Sequence, residues 1–274
     1  METFNHKYGE KTYNLSEVCA FKKTKELFGG LSNMAAGFPL VINGVHILTS
    51  EALYQACRFP HLPNIQKEII AERSPMSAKM KSKPYRENSR IDFEEKKVEI
   101  MRWCLRVKLA QNFVSFAQLL ESTENKDIVE NSHKDRFWGA IPTKEDENSL
   151  IGANILGRLL KQLRKEYYEN RLTNLSRLLY VEPLKINDFL LFDEPIKAVD
   201  ERENFVRLLM KQLNISVTID KPKIITKPES IVIVDKPVLT KNQISTKKVA
   251  TTKPKTNKKT KVVETVQQPI LTLL

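Results

Sequence analysis

The sequence predicts an α+β protein that is mainly α-helical, with a small β-hairpin element and a disordered basic tail. Apolar residues recur at intervals of three or four over most of residues 50–168, which is the spacing of amphipathic helices. The clearest strand pattern is confined to residues 39–47. The charge is concentrated at one end: residues 221–274 carry +9 of the formal net charge of +12, and the first 220 residues carry +3.

Composition limits the classes of protein to which the chain can belong. Its 274 residues are 41% apolar and 28% charged, which suffices for one large domain or two small ones. No run approaches the ~20 apolar residues of a membrane-spanning helix, and the first residues lack the apolar segment of a secretory signal. The widely spaced Cys19, Cys57 and Cys104 favour reduced, buried thiols in a cytoplasmic protein.

The first half of the chain has strand patterns followed by helix starts. Residues 16–22 alternate loosely and predict a strand. Residues 39–47 predict a hairpin, because two β-rich runs flank Asn43-Gly44. Three helices are expected next: one from Thr49 to just before Pro60, one from Pro63, and a short one over 76–81 that Ser74-Pro75 starts.

The second half is expected to be mainly helical. Asp92, with Glu95 three residues later, forms a capping-box pattern that predicts a helix to about residue 112. Further helices are expected over 113–120, 150–168 and 199–213, and residues 183–191 are apolar and irregular.

These patterns divide the chain into three parts. Residues 1–170 are the expected main domain, residues 171–219 a helical appendage packed on it, and residues 220–274 a Lys-rich tail without aromatic residues. Such a tail cannot bury enough apolar surface to offset the entropy of ordering it. It is either a solvated extension or an arm that binds nucleic acid by releasing counterions.

No conventional catalytic motif is present in the sequence. Phosphate-binding glycine loops, Gly-x-Ser-x-Gly and His-Glu-x-x-His are all missing, and the four scattered histidines do not suggest a metal site. Glu51 lies in the first turn of a predicted helix, where the helix dipole stabilises an acidic side chain whether or not it has a catalytic role. Asp135 lies three residues before Trp138. An aspartate that only caps a turn beside a core tryptophan would have the same spacing. Lys108 lies near an apolar stripe, so its amine either extends to solvent or is buried with a lowered pKa.

Six blocks of the sequence, in order, span about residues 20–170. They are Phe28-Gly-Gly-Leu-Ser-Asn33, Thr49-Ser-Glu51-Ala-Leu-Tyr54-Gln55-Ala56, Ser74-Pro-Met-Ser-Ala-Lys79, Met101-Arg-Trp-Cys-Leu-Arg-Val-Lys108, Lys134-Asp135-Arg-Phe-Trp138-Gly139 and Gly152-Ala-Asn154-Ile-Leu-Gly157 continuing to Arg164. Together these blocks resemble the NADAR family of YbiA-like N-glycosidases. One departure from the family pattern is Phe93, where many relatives carry a tryptophan; an aromatic wall is retained there without an indole N–H.

The resemblance implies hydrolysis of an N-glycosidic bond between a phosphorylated ribose and a base, without a cofactor or metal. Glu51 would stabilise positive charge at C1 of the sugar, Asp135 would assist it, and Lys108 could form an imine with the opened sugar. The other residues that the resemblance assigns to substrate binding are Asn33 and Asn154 as amide donors, Trp138 as a stacking platform, Arg58 and Arg164 for phosphate, and Tyr54, Gln55 and Gly139 around them.

Two classes of function remain open at this stage. As an enzyme, the protein would remove ADP-ribose from guanine in nucleic acid, as antitoxin-like members do in the presence of a cognate toxin, or it would cleave early riboflavin intermediates. As a binding module, it would sense ADP-ribose or NAD-like ligands. Glu51, Asp135 and Lys108 together favour the enzyme, because a binding module needs no carboxylate at the anomeric carbon.

Overall fold

The computed structural model describes residues 8–213, and within that range the chain is an α+β fold dominated by helices. The predicted fold class is confirmed, and the expected basic tail at 220–274 lies outside the described residues. The helices are α1 (Ser50–Ala56), α2 (Pro63–Ile70), α3 (Pro75–Ser82), α4 (Phe93–Gln111), α5 (Phe113–Glu121), α6 (Ile155–Asn170), α7 (Leu175–Leu179) and α8 (Arg202–Gln212). A 3-10 turn over Lys83–Asn88 follows α3.

The strands are short and form several small sheets. They are β1 (Lys11–Asn14), β2 (Val18–Phe21), β3 (Leu40–Ile42), β4 (Val45–Ile47), β5 (Asp127–Glu130), β6 (Ile141–Pro142), β7 (Ser149–Gly152), β8 (Tyr180–Val181), β9 (Leu190–Leu191), β10 (Glu194–Pro195) and β11 (Val199–Asp200). β7 lies between β1 and β6 in an antiparallel sheet, and β2 pairs with β5 in parallel. The other pairs are β3 with β4, β8 with β11 and β9 with β10.

Helix α4 is the centre of the fold. Eleven of its 19 residues are buried, and it contacts α1, α5, α6 and α7. Burial of this much apolar surface is the main force that holds the surrounding elements together, at about 25 cal/mol per Å². The elements that carry the candidate site, α1 and β5, therefore rest on a continuous core.

Local signals start several elements where the sequence predicts them. In the β3–β4 hairpin, Asn43 and Gly44 both have positive φ, 51° and 79°, as the predicted turn requires. The hydroxyl of Thr49 accepts the N–H of Ala52 at the start of α1, and that of Ser74 accepts the N–H of Ser77 at the start of α3.

Asp92 corrects one expected detail. It occupies the N-cap position of α4, but its side chain makes no capping hydrogen bond. Its carboxylate instead accepts Nε and Nη2 of Arg90, at 2.5 and 3.1 Å. The buried Arg90 guanidinium competes successfully for the carboxylate, because an ionic hydrogen bond is stronger than one from a neutral amide.

The expected helix over 150–168 begins late. Leu150 lies in β7, opposite Tyr13 of β1, and α6 begins only at Ile155 after Asn154, whose φ is 47°. The expected last helix also begins late, because Val199–Asp200 pairs with β8 before α8 starts. In both places strand pairing with a distant segment overrides a helical periodicity.

Residues 171–213 pack on the core through aromatic contacts. The ring of Phe189 lies 4.9 Å from that of Trp103 in α4, and Phe205 of α8 lies 5.1 Å from Phe113. The indole N–H of Trp103 donates to the carbonyl of Glu182 at 3.0 Å. This segment contains two helices and four two-residue strands, so it is less helical than the sequence predicts.

The three cysteines are buried and unpaired, as expected. Over residues 8–213, no helix is long and apolar enough to cross a membrane.

Candidate active site

Glu51 lies in the first turn of α1, and its carboxylate is buried between two amides. The residue is 5% exposed. Its Oε2 accepts Asn33 Nδ2 at 2.9 Å, and its Oε1 accepts Gln55 Nε2 at 2.8 Å. The backbone N–H of Glu51 also donates to the carbonyl of Asn33 at 3.0 Å. These donors stabilise a buried negative charge without neutralising it, because neither amide carries a charge.

The amide of Gln55 is itself held by α3. Gln55 is four residues after Glu51 and therefore shares a face of α1 with it. The hydroxyl of Ser82, at the end of α3, lies 2.8 Å from Gln55 Oε1, which fixes Gln55 Nε2 toward the carboxylate. Sequence reasoning missed Ser82, because no local pattern connects it to a residue 27 positions earlier.

Buried polar atoms without a partner cluster near this carboxylate. In the part of the chain that the structure describes, four buried side-chain atoms lack a hydrogen bond: Asn33 Oδ1, Ser50 Oγ, Arg58 Nε and Asn131 Oδ1. Native proteins leave few such atoms unpaired. Three of the four atoms belong to residues around Glu51. Asn33 donates to its carboxylate, Ser50 precedes it in the chain, and the charge of Arg58 interacts with it. This concentration indicates a site built to bind a polar ligand.

An aromatic wall borders the cluster. The ring of Tyr54 lies 5.7 Å from that of Trp138, edge to face, and 5.9 Å from that of Phe93. The guanidinium carbon of Arg58 lies 4.0 Å from the centre of the Phe93 ring. Burial raises the pKa of Tyr54 well above its usual value, so its phenol is neutral. Tyr54 and Phe93 are buried behind this wall, whereas Trp138 and Arg58 are half-buried, so Trp138 and Arg58 are the members that a base or a phosphate can reach.

Asp135 organises the turn that carries Trp138. Its Oδ1 accepts the backbone N–H groups of Phe137 and Trp138, at 3.0 and 2.8 Å. The carbonyl of Trp138 in turn accepts the N–H of Leu156 in the first turn of α6, at 3.0 Å. Gly139 follows because a Cβ there would lie 2.5 Å from the carbonyl oxygen of Glu130. Asp135 and Gly139 thus position the wall.

Glu130 is a second acid at this site, and sequence reasoning missed it. It ends β5, is half-buried, and its carboxylate makes no hydrogen bond or ion pair within residues 8–213. Burial, followed by the negative charge of Asp135, raises its pKa to about 7, and Lys79 opposes the shift. The charge of Glu51 also raises the pKa of Glu130. The four groups that interact are therefore Glu130, Asp135, Lys79 and Glu51. The signal that could have identified Glu130 is its position at the carboxyl end of β5, a strand in a parallel pair.

Lys108 is bonded to the loop that precedes Asn33. The residue is completely buried, and burial lowers its pKa to about 7, in the direction expected. Its Nζ, however, donates to the carbonyls of Gly30 and Ser32, at 2.6 and 3.0 Å. Across the described residues, no hydrogen bond or ion pair joins Lys108 to an acid of the site. Lys108 fixes the loop that precedes Asn33, and it is a positioning residue.

Two other residues expected to bind substrate are occupied by backbone groups. Asn154 Nδ2 donates to the carbonyl of Ile128 at 2.8 Å, and its Oδ1 accepts the N–H of Glu130 at 3.2 Å. The buried Arg164 donates to Thr123 and to the carbonyl of Lys126. Asn154 therefore positions β5, and Arg164 anchors the loop before it instead of pairing with phosphate.

The sequence profile of the NADAR domain matches residues 12–167. The chain belongs to the NADAR domain family. The match includes Asn33, Glu51, Glu130 and Trp138, and residues 171–213 lie beyond it. Within residues 8–213 of this NADAR protein, no group of three acidic, histidine or cysteine side chains could hold a metal ion.

Curated relatives agree with this assignment. The chain is 30% identical over 174 residues to a riboflavin biosynthesis protein of Vibrio vulnificus (strain YJ016), covering 63% of this chain and 44% of that protein. It is 35% identical over 153 residues to the N-glycosidase YbiA of Escherichia coli (strain K12), covering 54% of this chain and 88% of YbiA. The NMR structure of E. coli YbiA superposes with a TM-score of 0.48 at 30% identity, covering 57% of this chain and 87% of YbiA.

Proposed function

We propose that this NADAR protein is an N-glycosidase that hydrolyses the bond between C1 of a phosphorylated ribose and a base nitrogen. The observation that carries the proposal is the buried Glu51 carboxylate, held by two uncharged amides at the edge of an aromatic wall. The names of the relatives support the reaction class, since several are called N-glycosidase.

Glu51 is the group that acts on the sugar in this proposal. Cleavage of the C1–N bond develops positive charge on C1 and the ring oxygen, so a carboxylate beside them stabilises the transition state. Because Asn33 and Gln55 hold both carboxylate oxygens in place, little reorganisation is needed as that charge develops.

Glu130 supplies the proton for the leaving base. With a pKa raised to about 7, a large fraction of this carboxyl carries a proton at neutral pH. A leaving nitrogen departs more easily as a protonated group, and a general acid with a pKa near the working pH donates that proton efficiently. The two acids therefore have different tasks.

Lys79 is the better candidate for a covalent route than Lys108. Its charge interacts with Glu130, its side chain is half-buried, and it has no ion-pair partner in the described part of the chain. In this route the neutral amine attacks C1 while the C1–N bond breaks and the base leaves with a proton from Glu130. The bond from C1 to the ring oxygen then opens, the amine proton passes to that oxygen and an imine forms, and water hydrolyses the imine to the sugar aldehyde and the free amine. Without the covalent step, water attacks C1 directly with help from Glu51.

The wall and its cation support a nucleotide-like substrate. Trp138, packed against the buried ring of Tyr54, offers ring surface for a base, and base–aromatic stacking contributes about 1–3 kcal/mol per base. The buried Nε of Arg58 has no partner in the described residues and suits a phosphate oxygen.

The finer substrate we propose is ADP-ribose attached to guanine in nucleic acid, with a cytoplasmic, antitoxin-like role beside a cognate toxin. The +9 charge of residues 221–274 supports a polyanionic substrate. A second candidate is the cleavage of an early riboflavin intermediate, which the names of the Vibrio and maize relatives favour.

One experiment separates these substrates. The protein is incubated in parallel with an ADP-ribosylated oligonucleotide and with the pyrimidine precursor of riboflavin, and the released sugar is measured by mass spectrometry. We expect release from the oligonucleotide at least tenfold faster. Faster release from the precursor would favour the second candidate, and binding without release from either would identify a binding module.

A further inference from the structure

Within residues 8–213, a strongly basic stretch borders the candidate active site. Residues 73–91 contain six Lys or Arg and one acid, a net charge of +5 in 19 residues. The first 220 residues together carry only +3. The rest of that region is therefore slightly acidic, and the positive charge is focused on α3 and the turn after it.

Four of these six cations are free to meet a ligand. Lys81 lies 3.6 Å from Glu68, and Arg90 pairs with Asp92. Within residues 8–213, the side chains of the other four make neither a hydrogen bond nor an ion pair; they are Arg73, Lys79, Lys83 and Arg86.

The same stretch exposes apolar side chains. Met76 and Met80, one turn apart on α3, are 58% and 52% exposed, and Ile91 is fully exposed. By helical spacing the two methionines share a face with Lys79 and Lys83, opposite the buried Ala78. Large apolar side chains interleaved with unpaired cations suit a ligand that has both phosphates and flat, apolar bases.

The stretch is joined directly to the catalytic helix. Ser82 ends α3 and hydrogen-bonds Gln55, which in turn holds Glu51. Burial lowers the pKa of the Arg58 guanidinium, and the nearby charge of Arg86 acts in the same direction. A strand lying on residues 73–91 would therefore pass beside the carboxylate.

We infer that residues 73–91 form a docking surface for a single-stranded nucleic acid, which presents the modified base to Glu51. This inference rests on the proposed nucleic-acid substrate and deepens it, because it places the strand on the folded domain. Unpaired bases can lie on the two methionines, and Arg73, Lys83 and Arg86 contact the phosphates, which leaves Lys79 for the role proposed above.

The test measures binding, so it does not depend on catalysis. Anisotropy of a labelled, unmodified single-stranded oligonucleotide is titrated with the full chain between 50 and 300 mM salt. The double variant Lys83→Gln/Arg86→Gln removes two proposed phosphate contacts. The control Lys185→Gln/Lys211→Gln removes the same charge from exposed lysines outside this surface.

We expect the double variant to bind roughly tenfold more weakly at 0.1 M salt, with a slope of log K against log salt that is about 1.4 shallower. The control variant should match the wild type. Equal losses in both variants, or none in either, would overturn the inference.

A competitor separates nucleic acid from an acidic protein partner. Polyglutamate of the same charge has no bases to lie on the methionines, so we expect it to displace the oligonucleotide only at much higher concentration. Equal displacement would overturn the inference in favour of an acidic protein segment. Residues 73–91 could bind the oligonucleotide as expected while no sugar is released from a modified oligonucleotide. That result would contradict the proposed substrate and would still support the docking surface.

Discussion

Glu51 and Lys108 are two buried charged residues that bond to the same loop. They differ in whether the polar atoms around them all have hydrogen-bond partners. Lys108 donates to two carbonyls of that loop and lies 4.5 and 4.4 Å from the ring centres of Phe38 and Phe116. Glu51 accepts two amides, but unpaired polar atoms remain beside it, among them Asn33 Oδ1.

Under the proposed function, this difference separates a structural charge, Lys108, from a functional one, Glu51. A buried group whose partners are all protein atoms is part of the fold, whereas unpaired polar atoms beside a buried charge are costly unless a ligand pairs with them. Lys108 has the lowered pKa expected of a nucleophile, yet its geometry is that of an anchor. A perturbed pKa alone does not distinguish these two roles.

Glu51→Gln tests the functional side of this comparison and should have the largest effect. The variant keeps the size of the side chain and removes the charge, so we expect kcat to fall about 1000-fold or more, since electrostatic stabilisation of this kind is a large term. The assay is release of sugar from a modified nucleoside.

Glu121→Gln is the matched control. Glu121 is also a glutamate held by hydrogen bonds, from Tyr167 and Arg171, but it lies outside the charge cluster of Glu51. It should keep wild-type turnover. Activity of Glu51→Gln within a few-fold of wild type would move the catalytic role to Glu130 or Asp135.

Glu130→Gln tests the second acid through its pH profile. A general acid must be protonated, so wild-type kcat/KM should decline as pH rises above about 7, where Glu130 loses its proton. The variant should lose about 100-fold in kcat, and the decline above pH 7 should disappear. An unchanged alkaline limb would show that another group donates the proton.

Lys108→Met tests the structural side. The variant keeps the bulk but leaves two carbonyls unpaired, so we expect a loss of about 2 kcal/mol in the free energy of unfolding at pH 7. Activity should fall only several-fold after correction for the folded fraction. Complete loss of turnover in a fully stable variant would return Lys108 to the reaction.

The comparison of the wild type with Lys108→Met should also show a stability difference that depends on pH. Burial lowers the pKa of Lys108 from 10.5 to about 7, so between those values the unfolded chain binds one proton more than the folded chain. The stability of the wild type relative to Lys108→Met should therefore rise with pH from 7 to 10, by up to about 1 kcal/mol per unit. Chemical denaturation at several pH values measures this, and a constant difference would contradict it.

Trp138→Ala and Trp138→Phe should have the smallest effects. Removal of the ring should weaken substrate binding about tenfold, in line with the energy of base stacking, and phenylalanine should restore most of it. Calorimetry with an unreactive analogue measures both. Equal losses in the two variants would mean that Trp138 supports the turn and does not contact the base.

Much of the fold could be predicted because its signals are local. Thr49, Ser74 and Asn43-Gly44 start their elements through contacts within three residues. Leu150 could not be placed, because its strand depends on pairing with Tyr13, far away in the sequence. Periodicity cannot report a partner that lies outside the local window.

The site was predicted in part for the same reason. Glu51 and Gln55 share one helix turn, so a sequence block can reveal them together. Glu130 became visible only in the structure, because its raised pKa arises from burial and from Asp135. The carbonyls that bind Lys108 lie 78 and 76 residues away, so burial could be inferred from the sequence but its purpose could not.

The most direct test of this account is borohydride trapping during turnover, followed by peptide mass mapping. If the reactive centre surrounds Glu51 and Lys108 is an anchor, as we propose, any reduced sugar adduct should be on the peptide with Lys79. If water attacks directly, no peptide should gain mass. An adduct on Lys108 would contradict the account, because an amine bound to two carbonyls of the loop would then be the nucleophile.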